Sequence, residues 1–278
     1  LFLQVLSLDY HPEPLHYQTS IRKTLNPSSQ TSQTSQTPWT FLTLTNPTIN
    51  MISDSIANLN EEALLSKYGF LLSNYNGIQV WYNPKLTKHF FKERGRKHKI
   101  VLHHTAGSLE GDINALTSSK VSVPFLISPK GKIIMLYQPW HWAYHLGKDA
   151  LGGNTSQSKI SIGIEISNWG FLVRKGDTLY TYKGQPYCDI SQTDLYEKGE
   201  KWKIFNNSPV EYFATYSEAQ YEAVKKLKNL LCKLYAIPDV LYTKGYGEEV
   251  VDFRGITTHT DFRKDKYDLS PTFKFDKI

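Results

Sequence analysis

Two short apolar runs constrain this chain more than any other feature. They are Ile100-Val101-Leu102-His103-His104-Thr105-Ala106 and Ser161-Ile162-Gly163-Ile164-Glu165-Ile166-Ser167. Each reads as a strand, and each carries ionisable groups where an apolar core would otherwise continue. Successive strand side chains point to opposite faces. Ile100, Leu102 and His104 therefore share one face, and Val101, His103 and Thr105 share the other. The two histidines cannot both enter one site unless the strand bulges, and parity alone does not choose between them. In the second run Ile162, Ile164 and Ile166 line one face, while Gly163, Glu165 and Ser167 line the other. Burying a lone carboxylate is costly, so Glu165 sits either on the exposed face of an edge strand or against a cleft.

A third cluster lies near the far end, Thr258-His259-Thr260-Asp261-Phe262-Arg263-Lys264-Asp265-Lys266-Tyr267-Asp268. Alone it reads as a solvated charged loop. Combined with the early strand it offers more. One neutral imidazole from each cluster and one carboxylate would make a three-ligand metal site with an open position, the arrangement of a catalytic zinc.

The rest of the chain supplies the frame. Strands are expected at 99–104, 122–128, 132–137 and 161–167, with the middle two forming a hairpin about Pro129-Lys130-Gly131-Lys132. Ser217-Glu218-Ala219-Gln220 reads as a capping box opening a helix with an apolar stripe at Tyr221, Val224, Leu227, Leu231 and Leu234, and Pro238 follows its end. Cys232 falls inside this helix as a small buried hydrophobe, and with Cys188 it makes neither a metal pair nor a disulfide framework. Residues 171–216 are polar and Tyr-rich and read as a long insertion, a hairpin and a loop, of the length often used for lids or groove walls. Residues 51–97 read as a small appendage: a short helix over 60–68 stopped by Gly69, then a hairpin about Asn76-Gly77 that packs on the main domain.

Residues 24–38 are rich in Ser, Thr, Gln, Asn and Pro, a composition that cannot bury enough apolar surface to order itself. Residues 1–50 are accordingly expected to be a disordered tail, a linker or upstream sequence, with Met51 as a candidate translation start. The opening Leu-Phe-Leu-Gln-Val-Leu is too short and lacks the basic flank of a signal peptide. No apolar run of about 18 residues exists to span a membrane. Net charge is +6, which favours anionic partners. Lysine and arginine read as spread out with no dense arm, so the charge points weakly to an acidic polymer and not to nucleic acid.

Taken together, five stretches in order resemble the zinc-dependent N-acetylmuramoyl-L-alanine amidases of the amidase-2 type, a superfamily that includes phage lysozyme-amidases and peptidoglycan-recognition proteins. They are Val101–Ala106, Phe125–Ile133, Ala143–Gly147, Ser161–Ile166 and His259–Pro271. The resemblance covers residues 98 to about 272. It implies an α/β fold with a central mixed β-sheet flanked by helices and a small N-terminal appendage, the catalytic domain occupying 98–278. It also implies zinc bound by His103, His259 and Asp268, with Glu165 as general base and Lys266 as the cation beside the metal. His145 is implied as a cleft histidine that contacts substrate, and His104 as a residue turned to the other face. Asp265 is the alternative third ligand, because the usual Pro-Gly after that position is replaced by Leu269-Ser270-Pro271.

The implied reaction is hydrolysis of the bond between N-acetylmuramic acid and L-alanine in peptidoglycan, by a monomer that neither inserts stably into a membrane nor binds nucleic acid. Such an enzyme would stay in the cytoplasm until released to the wall, or be secreted if the N-terminus is incomplete. Two other readings stand beside it: a non-catalytic peptidoglycan-binding module of the same fold, and a cytosolic amidase that recycles soluble muropeptides.

Overall fold

The computed structural model describes residues 51–204 and 208–278; the expectation for residues 1–50 lies outside the described residues. Two short helices, α1 (Ile52–Ala57) and α2 (Glu61–Lys67), precede a hairpin of β1 (Leu71–Tyr75) and β2 (Ile78–Tyr82). Its turn is the expected Asn76-Gly77, both residues with positive φ, which matches the right-handed twist of the flanking strands. There follow β3 (Lys99–His104), α3 (Leu109–Ser118), β4 (Phe125–Ile127), β5 (Ile133–Met135), α4 (Asn154–Ile160) and β6 (Ser161–Ile166). Five strands come next: β7 (Phe171–Lys175), β8 (Thr178–Thr181), β9 (Pro186–Asp189), β10 (Tyr196–Ile204) and β11 (Ser208–Ala214). The chain closes with α5 (Glu218–Tyr235), α6 (Glu249–Asp252), β12 (Gly255–Thr258) and α7 (His259–Phe262).

Seven strands form the central sheet in the order β1-β2-β5-β4-β6-β3-β12. β3, β6 and β12 run parallel, while β4 and β5 form the expected antiparallel hairpin. The sheet is mixed and covered on both faces. One face carries Ile100, Leu102, Ile162, Ile164 and Ile166, which pack against Tyr221, Val224, Leu227 and Leu231 of α5. Each of those side chains is worth roughly 1.5–3 kcal/mol in burial. The Ser217/Gln220 capping box at the head of α5 is formed reciprocally. Leu234 departs from the expected stripe at 43% exposure, because in the last turn Tyr235 turns toward the core instead. On the opposite face, Leu126 and Ile134 meet Leu109, Ile113 and Leu116 of α3 and Leu65 of α2. Through β2, which pairs with β5, the N-terminal hairpin forms the edge of this same sheet.

The segment read as a hairpin and a loop is instead a second, five-stranded antiparallel sheet of order β10-β11-β7-β8-β9. Its tyrosines and β-branched residues suit a half-buried pleat. Gly176 opens a two-residue turn between β7 and β8 with φ +62°. Trp169, Leu172, Leu179, Tyr187 and Cys188 make its core, against which Ile52 and Ile56 of α1 pack. The polar composition of this segment hid a period-2 pattern whose buried face is supplied partly by residues more than a hundred positions earlier.

Candidate metal centre and cleft

Strand register assembles the site. β3 and β6 pair in parallel with His103 opposite Glu165, and β3 pairs with β12 so that Thr258 lies opposite Leu102. His103, Glu165 and His259 therefore emerge together at the C-terminal ends of three adjacent parallel strands. The loop after α7 returns Asp268 to the same point. His103 Nδ1, His259 Nδ1 and Asp268 Oδ2 form a triangle with all three sides 3.1 Å. All three side chains are buried, and the group could hold a metal ion.

The protons around this triangle can be traced outward. Ser161 Oγ donates to the carbonyl of Gln157 at 2.6 Å, so it accepts from His145 Nε2 at 2.9 Å. A neutral His145 then accepts at Nδ1 from His103 Nε2, 3.0 Å away. His103 is left with a bare lone pair at Nδ1. His259 Nε2 donates to the carbonyl of Leu146 at 3.0 Å, which bares its Nδ1 as well. Burial drives the imidazole of His103 down to about 4 and that of His145 well below its usual value, in keeping with neutral rings. Two lone pairs and a carboxylate oxygen thus converge with no hydrogen between them. That donor set suits a cation, and two imidazoles with one carboxylate suit zinc.

His145, expected on the cleft wall, lies buried behind His103 with both ring nitrogens engaged, one by His103 and one by Ser161. Asp265 is not brought to the triangle. It pairs with Arg263 and is largely exposed. Lys266 is nearly buried; desolvation lowers its ammonium, while Asp268, Asp265 and Glu165 act in the other direction.

β6 is interior to the sheet, so the exposed edge-strand reading of Glu165 does not apply. The carboxyl is buried, and its Oε2 finds no hydrogen-bond partner among the described residues. Burial raises its pKa well above normal, and Asp268 and Asp112 add to this against Lys266. It borders a small cavity of about 90 Å³ also lined by Thr105, Ala106, Gly111, Asp112 and Lys183. Gly107, Ser108 and Lys183 are shared with a larger groove of about 590 Å³ between the two sheets, walled by Ile56, Leu109, Trp169 and Tyr187.

Three contributors escaped the sequence reading. Asp112 accepts hydrogen bonds from Thr105 Oγ1 at 2.8 Å and Ser167 Oγ at 2.6 Å, tying together the face that carries His103 and Glu165. An acid in the first turn of a helix normally signals only capping, so nothing marked it. Tyr216 bonds His104 Nδ1 at 2.8 Å on the far face of β3, and the Ser270 backbone N–H approaches the same hydroxyl at 3.5 Å. His104 thus steadies the loop two residues beyond Asp268. Tyr267, between Lys266 and Asp268, packs with Phe171, Val210 and Phe213 of the second sheet.

The sequence profile of the family described as N-acetylmuramoyl-L-alanine amidase matches residues 94–271. No curated protein sequence matches the chain. Among solved structures it is similar to the N-acetylmuramyl-L-alanine amidase AmiD from E. coli, in complex with an anhydro-N-acetylmuramic acid peptide (21% identity, TM-score 0.44, 74% of this chain and 63% of that one). AmpDh3 from Pseudomonas aeruginosa with an anhydromuramic pentapeptide gives 18% identity and a TM-score of 0.42, covering 74% of this chain and 64% of that one. LysC from Clostridium intestinale gives 13% and 0.39, over 70% and 91% of the two chains.

Proposed function

The chain belongs to the N-acetylmuramoyl-L-alanine amidase family, and on that premise we propose that it hydrolyses the amide between N-acetylmuramic acid and L-alanine in peptidoglycan, with zinc held by His103, His259 and Asp268. One observation carries the reading: a proton-free triangle of two imidazole nitrogens and a carboxylate oxygen, paired in register with a buried glutamate on the same face of the sheet.

When bound, zinc supplies Lewis acidity and brings the pKa of a coordinated water to about 7. The remaining roles belong to the chain. Glu165 takes a proton from water as the hydroxyl adds to the amide carbonyl carbon, and returns it to the nitrogen as the carbon–nitrogen bond breaks. The products are the lactyl carboxylic acid and a free L-alanine amine. Lys266 places positive charge where the carbonyl oxygen becomes negative, in a buried setting where such charge acts strongly. His145 and Ser161 hold His103 in the tautomer that presents Nδ1. The groove between the sheets, which shares Gly107, Ser108 and Lys183 with the small cavity at Glu165, gives a peptide room to lie. The proposed setting is cell-wall lysis, as by a phage endolysin or bacterial autolysin.

Incubation with a soluble N-acetylmuramoyl peptide tests the chemistry. Release of a peptide with an unblocked L-alanine amine is expected, and a substrate recovered intact with zinc-loaded protein would refute the reading.

A further inference from the structure

The end of the central sheet opposite the metal centre carries a feature that hydrolysis does not use. The run Lys92-Glu93-Arg94-Gly95-Arg96-Lys97-His98-Lys99 holds five lysines and arginines in eight residues, so the basic charge is not spread evenly as the sequence reading had it. The run leads into β3 without helix or turn. It is fastened to neighbouring segments by Phe91 N–H to the Trp142 carbonyl (2.7 Å), Gly95 N–H to the Trp140 carbonyl (3.3 Å) and His98 N–H to the Ile160 carbonyl (2.7 Å).

Among the odd positions Lys97 and Lys99 are buried, whereas Glu93 is exposed. Glu93 pairs with Lys159 at 3.1 Å and accepts from Trp142 Nε1 at 3.2 Å, and Lys97 donates to the carbonyls of Lys159 and Ser161. The even positions turn outward: Lys92, Arg94 and Arg96 are exposed and His98 is half-buried. Exposed Arg254 extends the row, because it precedes Gly255, which lies opposite Lys99 in the β12–β3 register. The cations are felt nearby. Burial and then Arg254 and Arg96 lower the His98 imidazole, and Arg94 and Lys92 are among the groups that lower His141. Of the acids close by, Glu93 is exposed but paired with Lys159, and Asp252 acts on buried Lys99.

We infer that this row of Lys92, Arg94, Arg96 and Arg254 binds a linear polyanion, namely a phosphodiester polymer attached to the cell wall. Alternate residues of an extended strand repeat at roughly 6.5 Å, so the row is a line of charges and not a disc. A line fits a chain better than a membrane plane. Each indole that a nucleic acid would use for stacking already has a ring-face partner: Arg94 lies over Trp140 at 5.1 Å, and Phe91 stacks on Trp142 at 4.0 Å. β3 separates the row from His103 by roughly 15 Å, so one molecule could hold the polymer and present the opposite end of its sheet to peptidoglycan. The choice of a wall polymer rests on the amidase reading; the polyanion site does not.

Sedimentation with isolated walls tests this, using Glu165→Gln protein so that the walls stay intact. Walls are compared before and after chemical removal of their phosphodiester polymer. Binding to untreated walls should weaken with salt, with a log–log slope of about −3 for four phosphate contacts. The variant K92Q/R94Q/R96Q/R254Q should bind at least tenfold more weakly and lose most of that slope, whereas R94K/R96K/R254K should bind like the parent. On stripped walls, parent and neutralised protein should bind alike. Equal binding of both proteins to untreated walls, or undiminished salt-dependent binding of the parent to stripped walls, would overturn the inference. In the Glu165 background the four neutralised positions should leave hydrolysis of a soluble muropeptide unchanged. Its absence even in the unsubstituted chain would count against the amidase reading and not against the row.

Discussion

His103 Nδ1 and His259 Nδ1 stand 3.1 Å apart, and neither carries the proton that would make the approach a hydrogen bond. The chain takes both protons elsewhere: one toward His145 and Ser161, the other to the carbonyl of Leu146. A donor pair held this way, with Asp268 as its third corner, stores repulsion that a bound cation relieves.

Removing one corner should therefore empty the site. His259→Ala and Asp268→Ala are expected to lower zinc stoichiometry from about one per chain to near zero by metal analysis, while Asp265→Ala leaves it unchanged. Unaltered zinc in Asp268→Ala would remove that residue from the ligand set.

Glu165→Gln preserves shape but cannot take a proton. Zinc content should be retained and kcat should fall by about 10²–10⁴-fold. A variant with full turnover would exclude Glu165 as the base.

Tyr216→Phe deletes the hydroxyl that links His104 to the loop behind Asp268. The residue touches neither the ligand triangle nor the cleft base. Competition with a chelator should show zinc affinity about 10-fold weaker or more. A purely structural role would change thermal stability alone.

Asp112 gives a pH signature of folding. Burial pushes its carboxyl up to about 7 against the hydrogen bonds from Ser167 and Thr105. Between pH about 4 and about 7 the folded chain keeps a proton that the unfolded chain has released, so this group lowers stability as pH rises through that window. The effect is on the order of a few kcal/mol. Asp112→Asn should flatten the fall, giving a higher Tm at pH 8 relative to pH 4 than the parent shows. An unchanged pH profile would contradict the assignment.

Much of the site could be read from the sequence because strand parity is local. His103 separates from His104, and Glu165 from its isoleucine neighbours, within seven residues, and the structure places them on the faces that parity requires. The Asn76-Gly77 turn and the Ser217–Gln220 cap were equally local. What escaped depends on contacts distant in sequence. The second sheet buries its face partly on Ile52 and Ile56, Asp112 acquires its role from Thr105 and Ser167, and His145 is turned inward by Ser161. The basic row was present in the sequence, but its placement follows from how residues 91–98 are fastened to 140–142 and 160.

Cleavage of the bond between N-acetylmuramic acid and L-alanine is tested most directly by the products released from peptidoglycan. After digestion with zinc-loaded protein, free amino groups should appear on L-alanine with no rise in reducing sugars, and Glu165→Gln should release neither. New reducing sugars, or new amino groups on residues other than L-alanine, would contradict the account.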